Sequence, residues 1–206
     1  MIAHLGMTGK FFIIDKAKIK KRTSFYYQVE GGTDKHNRVI INFENKSQLI
    51  YHDVRKFGFL KFETLKNINK NFHLKSLGPE PLSNNFDIKY FKECLKRRSR
   101  KIKDLLMDQK FVSGLGNIYV NEILFLSRIK PTKKSSKLSY IEIKNIIKNT
   151  KKVIKKAVLL GGSSIRNFSN SLGKKGNFQQ HFKVYGKKEG KCSIRSCKGV
   201  IKKIVI

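Results

Sequence analysis

Lys110-Phe111-Val112-Ser113-Gly114-Leu115-Gly116-Asn117-Ile118-Tyr119-Val120-Asn121-Glu122 is the stretch on which the fold turns. It lies between two apolar-periodic segments, and its two glycines allow a tight turn where the second segment must begin as a helix. A helix that starts at Gly116-Asn117 presents its first N–H groups with no bulky side chain in front of them, which makes a seat for phosphate. The plainer alternative is a glycine-rich helix–helix turn that binds nothing.

The chain around this stretch carries 46 Lys and Arg against 14 Asp and Glu in 206 residues, a formal net charge of +32. Such self-repulsion is most easily tolerated beside a polyanion, and nucleic acid is the default partner. Heavy use of Lys, Ile and Asn also suggests an AT-rich coding sequence, so part of the charge is discounted as compositional drift. The 15 Phe and 7 Tyr speak for a folded chain with a core. No apolar run approaches transmembrane length, and Met1-Ile2-Ala3-His4 carries no targeting pattern, which predicts a cytoplasmic protein with no membrane partner. Three cysteines, Cys94, Cys192 and Cys197, do not make a secreted disulfide framework. Cys94 reads as a small core residue.

From Met1 to about Phe62 the signals are those of strands: Ile2 to Leu5, Lys10 to Ile14, Phe25 to Val29, Arg38 to Phe43, Gln48 to His52 and Phe57 to Phe62. Val39, Ile41 and Phe43 fall on one face, as part of a β-sandwich or barrel. A connector from about Thr64 to Asn85 contains Leu77-Gly78-Pro79-Glu80-Pro81-Leu82, whose prolines stop both helix and central strand. Helices are predicted over Asp87 to Arg98, Arg100 to Met107, Asn117 to Ile129 and Ser139 to about Leu160. The last opens with a capping box, Ser139 with Glu142, carries an apolar stripe of Ile143, Ile146, Ile147, Ile154, Ala157 and Val158, and ends at Gly161-Gly162. Lys174-Lys175-Gly176 reads as a loop. Cys192 and Cys197 have the spacing of a zinc half-site, followed by a strand-like Val200 to Ile206.

Taken together these pieces resemble the bacterial formamidopyrimidine-DNA glycosylase family, whose relatives include endonuclease VIII-like enzymes. The matching stretches, in order, are His4-Leu5-Gly6-Met7-Thr8-Gly9, Asp53-Val54-Arg55-Lys56-Phe57-Gly58, Leu77 to Leu82, Gly114-Leu115-Gly116-Asn117-Ile118-Tyr119, Gly161-Gly162-Ser163-Ser164-Ile165-Arg166-Asn167-Phe168 and Val184-Tyr185-Gly186. The resemblance implies an α+β chain with a partial N-terminal β-sandwich over 1–63, a linker over 64–85, a helix–two-turn–helix bundle over 86–165, and a lesion loop with a partial zinc β-hairpin over 166–206. It implies a base-excision-repair enzyme that flips an oxidised purine out of damaged double-stranded DNA, removes it and cleaves the abasic site; nothing in the sequence itself suggests more than a monomer.

By the same likeness Gly116 and Asn117 approach the DNA backbone, and His36, Arg55 and Arg98 are DNA contacts. Met7, Arg55 and Phe57 fill the hole left by the flipped base and wedge the stack, chemistry that suits a flexible apolar chain, a hydrogen-bonding cation and an intercalating ring. Cys192 and Cys197 would be ligands of one structural zinc ion. The sequence departs from the family at both ends. The family's nucleophile is an N-terminal proline amine followed by Glu, with a Lys on a later strand, and none of these can be placed here; nor can the second cysteine pair or the Arg of the zinc hairpin. The expectation is a family member truncated at both ends, with no catalytic residue of its own and no activity as this polypeptide. Two alternatives stay open: an endonuclease VIII-like enzyme for oxidised pyrimidines, and a non-catalytic nucleic-acid-binding module.

Overall fold

The computed structural model describes residues 1–6, 8–15, 20–22, 34–96, 99–163 and 177–204. They divide into two units, Met1–Lys70 with Leu160–Gln179, and Asn71–Leu159 with Gln180–Ile206.

The first unit is made of strands. β1 (Ile2–His4), β2 (Lys10–Ile14), β3 (Lys20–Arg22), β4 (Asn37–Asn42), β5 (Gln48–His52) and β6 (Phe59–Lys61) form two antiparallel sheets, one pairing β1 with β6 and the other in the order β3-β2-β5-β4. Phe12 and Ile50 lie opposite each other in register and are both buried, so the β2–β5 pair carries the middle of this core. The alternation read at Val39, Ile41 and Phe43 is weaker in burial than in sequence, for Val39 and Phe43 stand exposed and Ile41 half-buried. The last predicted strand starts two residues late, at Phe59 rather than Phe57, because a carboxylate rather than a neighbouring strand takes the Gly58 amide. The predicted strand at Phe25 to Val29 and the loop at Lys174 to Gly176 lie outside the described residues.

The second unit is helical. Its short α2 (Phe72–Lys75) follows an equally short α1 (Leu65–Ile68) of the first unit, so the connector is not bare loop. α3 (Ile88–Leu95) is capped by Asp87, whose carboxylate accepts from the Tyr90 amide at 2.7 Å. α4 (Ile102–Met107), α5 (Asn117–Leu126) and α6 (Tyr140–Leu159) follow, with α5 packed on both α4 and α6. α5 ends three residues before the predicted Ile129, where Arg128 takes a positive φ of 57°. The capping box at the start of α6 is formed in both directions: the Glu142 amide donates to Ser139 Oγ at 3.2 Å and the Ser139 amide to Glu142 Oε2 at 2.8 Å. The buried stripe of α6 holds Ile143, Ile146, Ile147, Val153 and Ala157; Val158 is exposed and Ile154 half-buried. Helical spacing explains the correction, since 146, 150, 153 and 157 keep to one line and 158 turns off it.

The aromatic rings of Phe86, Phe91 and Phe111 meet at the centre of the bundle, Phe91 and Phe111 edge to face at 4.9 Å between centroids. The Leu77-Gly78-Pro79 segment presses against the same place. The Gly78 amide donates to the Gln109 carbonyl at 2.8 Å, the Ser113 amide to the Pro79 carbonyl at 3.1 Å, and a Cβ on Gly78 would lie 2.5 Å from the Phe111 backbone. Gly78 therefore sets how closely the connector docks on the central turn. Gly78→Ala is expected to destabilise the chain by about 1–3 kcal/mol in urea unfolding. Gly116→Ala, with nothing within 4 Å of the added carbon, is expected to cost under about 1 kcal/mol.

Candidate nucleic-acid interface

Within the first unit, the predicted contacts converge on Asp53. Its side chain is buried, and it sits just past the end of β5, where the chain leaves the sheet. Oδ1 accepts from Thr8 Oγ1 at 2.5 Å and from the Arg55 amide at 3.1 Å; Oδ2 accepts from the Tyr51 hydroxyl and the Gly58 amide, both at 3.0 Å. Its backbone is held too, its amide donating to the His36 carbonyl at 3.0 Å and its carbonyl accepting from Arg38 Nε at 2.9 Å. Burial pushes the carboxyl up, but the bonds from Thr8, Gly58, Tyr51 and Arg55 outweigh it and hold the group well below the usual carboxylate range.

With both ends of the 54–58 loop pinned from inside, its outer side chains face solvent. Phe57 is 61% exposed, and the Arg55 guanidinium lies over its ring at 4.6 Å from the centroid. Lys56 between them takes a positive φ of 59°. His36, at the end of a 3-10 turn, is half-exposed, with Nδ1 at 3.2 Å from Arg38 Nη2. The structure thus ties His36 and the loop carrying Arg55 and Phe57 to one residue, Asp53, the first through its backbone amide and the second through its carboxylate. Met7 and Arg98 lie outside the described residues.

Within the second unit, Gly116 caps α5 in an extended conformation, φ −119° and ψ 176°, and both Gly116 and Asn117 are exposed. A glycine cap brings no side chain of its own to the first amides of the helix, which have no intrahelical acceptor. The turn ahead of it is built by Asp108 and Gln109. The Gln109 amide accepts from the Gly114 N–H at 2.7 Å and donates to the Leu115 carbonyl at 2.8 Å, while Asp108 accepts from the Lys110 amide at 3.0 Å. Gly114 takes φ +80° there, the conformation glycine adopts most readily.

On the second turn of α5, Glu122 is buried, and its carboxylate accepts from three successive amides, Lys183 at 2.7 Å, Val184 at 3.0 Å and Tyr185 at 2.9 Å. That clamp fixes the segment leading into the cysteine hairpin. A cleft of about 660 Å³ separates Asn117, Asn121 and Phe125 of α5 from Cys192, Cys197 and Val200 of the hairpin. The hairpin is narrow. Lys191 bridges Val200, and the Cys192 amide donates to the Gly199 carbonyl at 2.9 Å. The predicted strand over Val200 to Ile206 is reduced to that one bridge in the described residues. Cys197 Sγ accepts from the Gly199 amide at 3.4 Å. These two thiols fit half of a tetrahedral zinc set. Among the described residues no group of three or more metal-ligating side chains gathers, so they do not complete one.

The sequence shows Thr8 and Asp53 inside matching stretches, Glu122 at the end of the central stretch and Tyr51 within a strand pattern, but gives none of them a role, and it offers no signal at Gln109. An acidic residue opening a turn, as at Asp53 and Asp108, is a signal that sequence carries; Glu122 and Gln109 act on partners that only the fold brings near. The lowered carboxyl of Asp53 has a pH consequence. Its contribution is complete above the unfolded value of about 4 and is lost as pH falls below it. The stability gap between the wild type and Asp53→Asn is therefore expected to be full at pH 7 and to narrow as urea unfolding is repeated below about pH 4.

Comparison with known proteins agrees with the fold. The formamidopyrimidine-DNA glycosylase N-terminal domain matches residues 1–60, and the H2TH domain of the same glycosylase matches residues 77–169. The formamidopyrimidine-DNA glycosylase of Listeria monocytogenes is 39% identical over 204 residues, covering 99% of this chain and 69% of the relative; that of Roseobacter denitrificans is 34% identical over 205 residues, covering 100% and 71%. A Lactococcus lactis glycosylase of this family, solved in complex with DNA containing an abasic site, superposes with a TM-score of 0.78 at 37% identity, over 99% of this chain and 69% of that one. Among the described residues no helix is long and apolar enough to cross a membrane. With both family domains matched in order, and with relatives this similar over nearly its whole length, the chain belongs to the formamidopyrimidine-DNA glycosylase family.

Proposed function

We propose that this chain recognises damaged double-stranded DNA as the DNA-reading part of a repair glycosylase and abasic-site lyase for oxidised purines. The observation that carries the reading is the solvent-facing Arg55–Phe57 pair on a loop whose backbone is fixed from within by Asp53. An exposed ring stacked under a guanidinium suits a gap in a duplex, where the ring can stack and the cation can hydrogen-bond the base left unpaired. Met7 joins them in filling the gap, and His36 and Arg98 contact the strands.

The exposed start of α5 supports the backbone contact. Gly116 and Asn117 seat a phosphate against the first amides of the helix, and the formal charge of +32 supplies long-range attraction. The domain assignment follows the same reading: 1–63 and 86–165 bear on DNA across the 64–85 linker, and 166–206 holds the lesion loop and the hairpin. Such a protein works as a monomer in the cytoplasm, where the chromosome is. Cys192 and Cys197 act as two ligands of one structural zinc ion, which by themselves hold it weakly. The oxidised-purine choice draws support from solved relatives bound to DNA carrying a formamidopyrimidine or an 8-oxoguanine analogue.

These 206 residues contain no proline before Pro79, and so no amine of the kind that the family uses as nucleophile. Borohydride trapping of this polypeptide on abasic DNA is expected to give no covalent adduct, and an efficient adduct would overturn that part of the reading. Binding is the positive test. A duplex carrying a tetrahydrofuran abasic analogue is expected to bind more tightly than the undamaged duplex, because no base need be unstacked. Gly116→Leu is expected to weaken both complexes by about tenfold or more while lowering stability by no more than about 1 kcal/mol, since the side chain stands in front of the first helix amides and its Cβ lies more than 4 Å from other parts of the described structure. Equal affinity for the two duplexes would favour a non-specific binding module instead.

A further inference from the structure

Three separate segments of the first unit carry residues assigned above to DNA, and each is bonded to the same side chain or its backbone. Thr8, next in sequence to Met7, donates its hydroxyl to Asp53; the Arg55 and Gly58 amides, one at Arg55 itself and the other next to Phe57, donate to the same carboxylate; the His36 carbonyl accepts from the Asp53 amide. We infer that Asp53 is a positioning residue which holds the turn residues Gly6, Thr8 and Gly9 and the loop at 54–58 in one fixed relation, so that Arg55 and Phe57 meet a gap in the duplex in a set orientation. The inference rests on the reading of Arg55 and Phe57 as residues that enter the duplex.

A second set of contacts points the same way. The turn and the loop close directly on one another: a Cβ on Gly6 would lie 3.1 Å from the Phe57 backbone, and one on either Gly9 or Gly58 would run into the Tyr51 hydroxyl that donates to Asp53. The Arg55 amide is also within 3.2 Å of Thr8 Oγ1, so Thr8, Arg55 and the carboxylate form a closed triangle. A carboxylate is suited to this place because it is acceptor-only, and all four partners offer protons. Asparagine has the same shape but turns an NH2 group toward at least one of those donors, and either the turn or the loop must then shift.

The test compares the 206-residue wild type with Asp53→Asn and Thr8→Val. Two readings are taken: the ratio of dissociation constants for undamaged and tetrahydrofuran-containing duplexes, and the emission of a 2-aminopurine placed opposite the analogue at saturating protein. Asp53→Asn is expected to lower the ratio about tenfold and to lose the emission change that the wild type produces, with far-ultraviolet circular dichroism retained. A residue that only stabilised the fold would leave emission at saturation as in the wild type. If Asp53→Asn does not fold, Thr8→Val decides, for it removes one hydroxyl and keeps the shape; its ratio is expected to fall about threefold.

An unchanged ratio and unchanged emission in folded Asp53→Asn, or in Thr8→Val where the first does not fold, overturn the inference. The double variant Arg55→Ala with Phe57→Ala separates this from a failure of the underlying reading. If the double variant loses ratio and emission while Asp53→Asn keeps both, only the positioning role is wrong. If the double variant keeps both as well, those residues do not enter the duplex, and the inference falls with the reading beneath it.

Discussion

Burying a carboxylate away from water is unfavourable by several kcal/mol unless its oxygens are met by donors. Asp53 meets four, and two of them are backbone amides of the loop that follows it. The loop is therefore defined by what lies beneath it, and its outer surface is left to side chains that make few demands on the fold. A strand in the same place would have spent the Gly58 amide on a sheet ladder and turned alternate side chains inward. Instead β6 begins at Phe59, and Arg55, Lys56 and Phe57 all stand in solvent.

The helical unit uses the same device twice more. Gln109 closes the central turn by accepting from Gly114 and donating to Leu115, and Glu122 gathers three amides of the segment before the hairpin. In each case one polar side chain satisfies backbone groups of a segment that has no regular structure to satisfy them. The outcome is a set of loops whose backbone is tied by single polar side chains while their exposed atoms remain available to a ligand. Gly116 shows the benefit most simply: the turn behind it is clamped, and the glycine itself touches nothing within 4 Å on the side where a Cβ would project.

Much of the fold was legible because periodicity and caps are local. The strands Lys10–Ile14 and Gln48–His52 coincide with their sequence patterns residue for residue, and the Ser139–Glu142 box forms as its spacing requires. Errors appeared where tertiary contacts decide. Val153 rather than Val158 completes the α6 stripe because the partner surface runs along the helix line. At the candidate site the exposed residues were legible, since Arg55, Phe57, Gly116 and Asn117 lie inside recognisable stretches. Their supports were not. Thr8 and Asp53 are 45 residues apart, and Glu122 and Lys183 are 61 apart, separations over which sequence carries no pairing signal.

The state of Phe57 ties support to function. A phenylalanine left mostly in water forgoes about 2 kcal/mol of burial, and a flexible loop would relieve that by folding the ring back onto the protein. The bonds to Asp53 at both ends of the loop oppose such a collapse, and the Arg55 guanidinium covers one face of the ring while remaining hydrated. In the proposed complex the unburied area becomes a driving force, because a ring entering a gap in the stack gains the contacts it lacks in the free protein. An intact duplex offers no such gap unless base stacking is first broken, so it returns less of that energy. Selectivity for a damaged site then follows from rigidity: the loop must hold Phe57 out in the free state for the difference between the two duplexes to be felt.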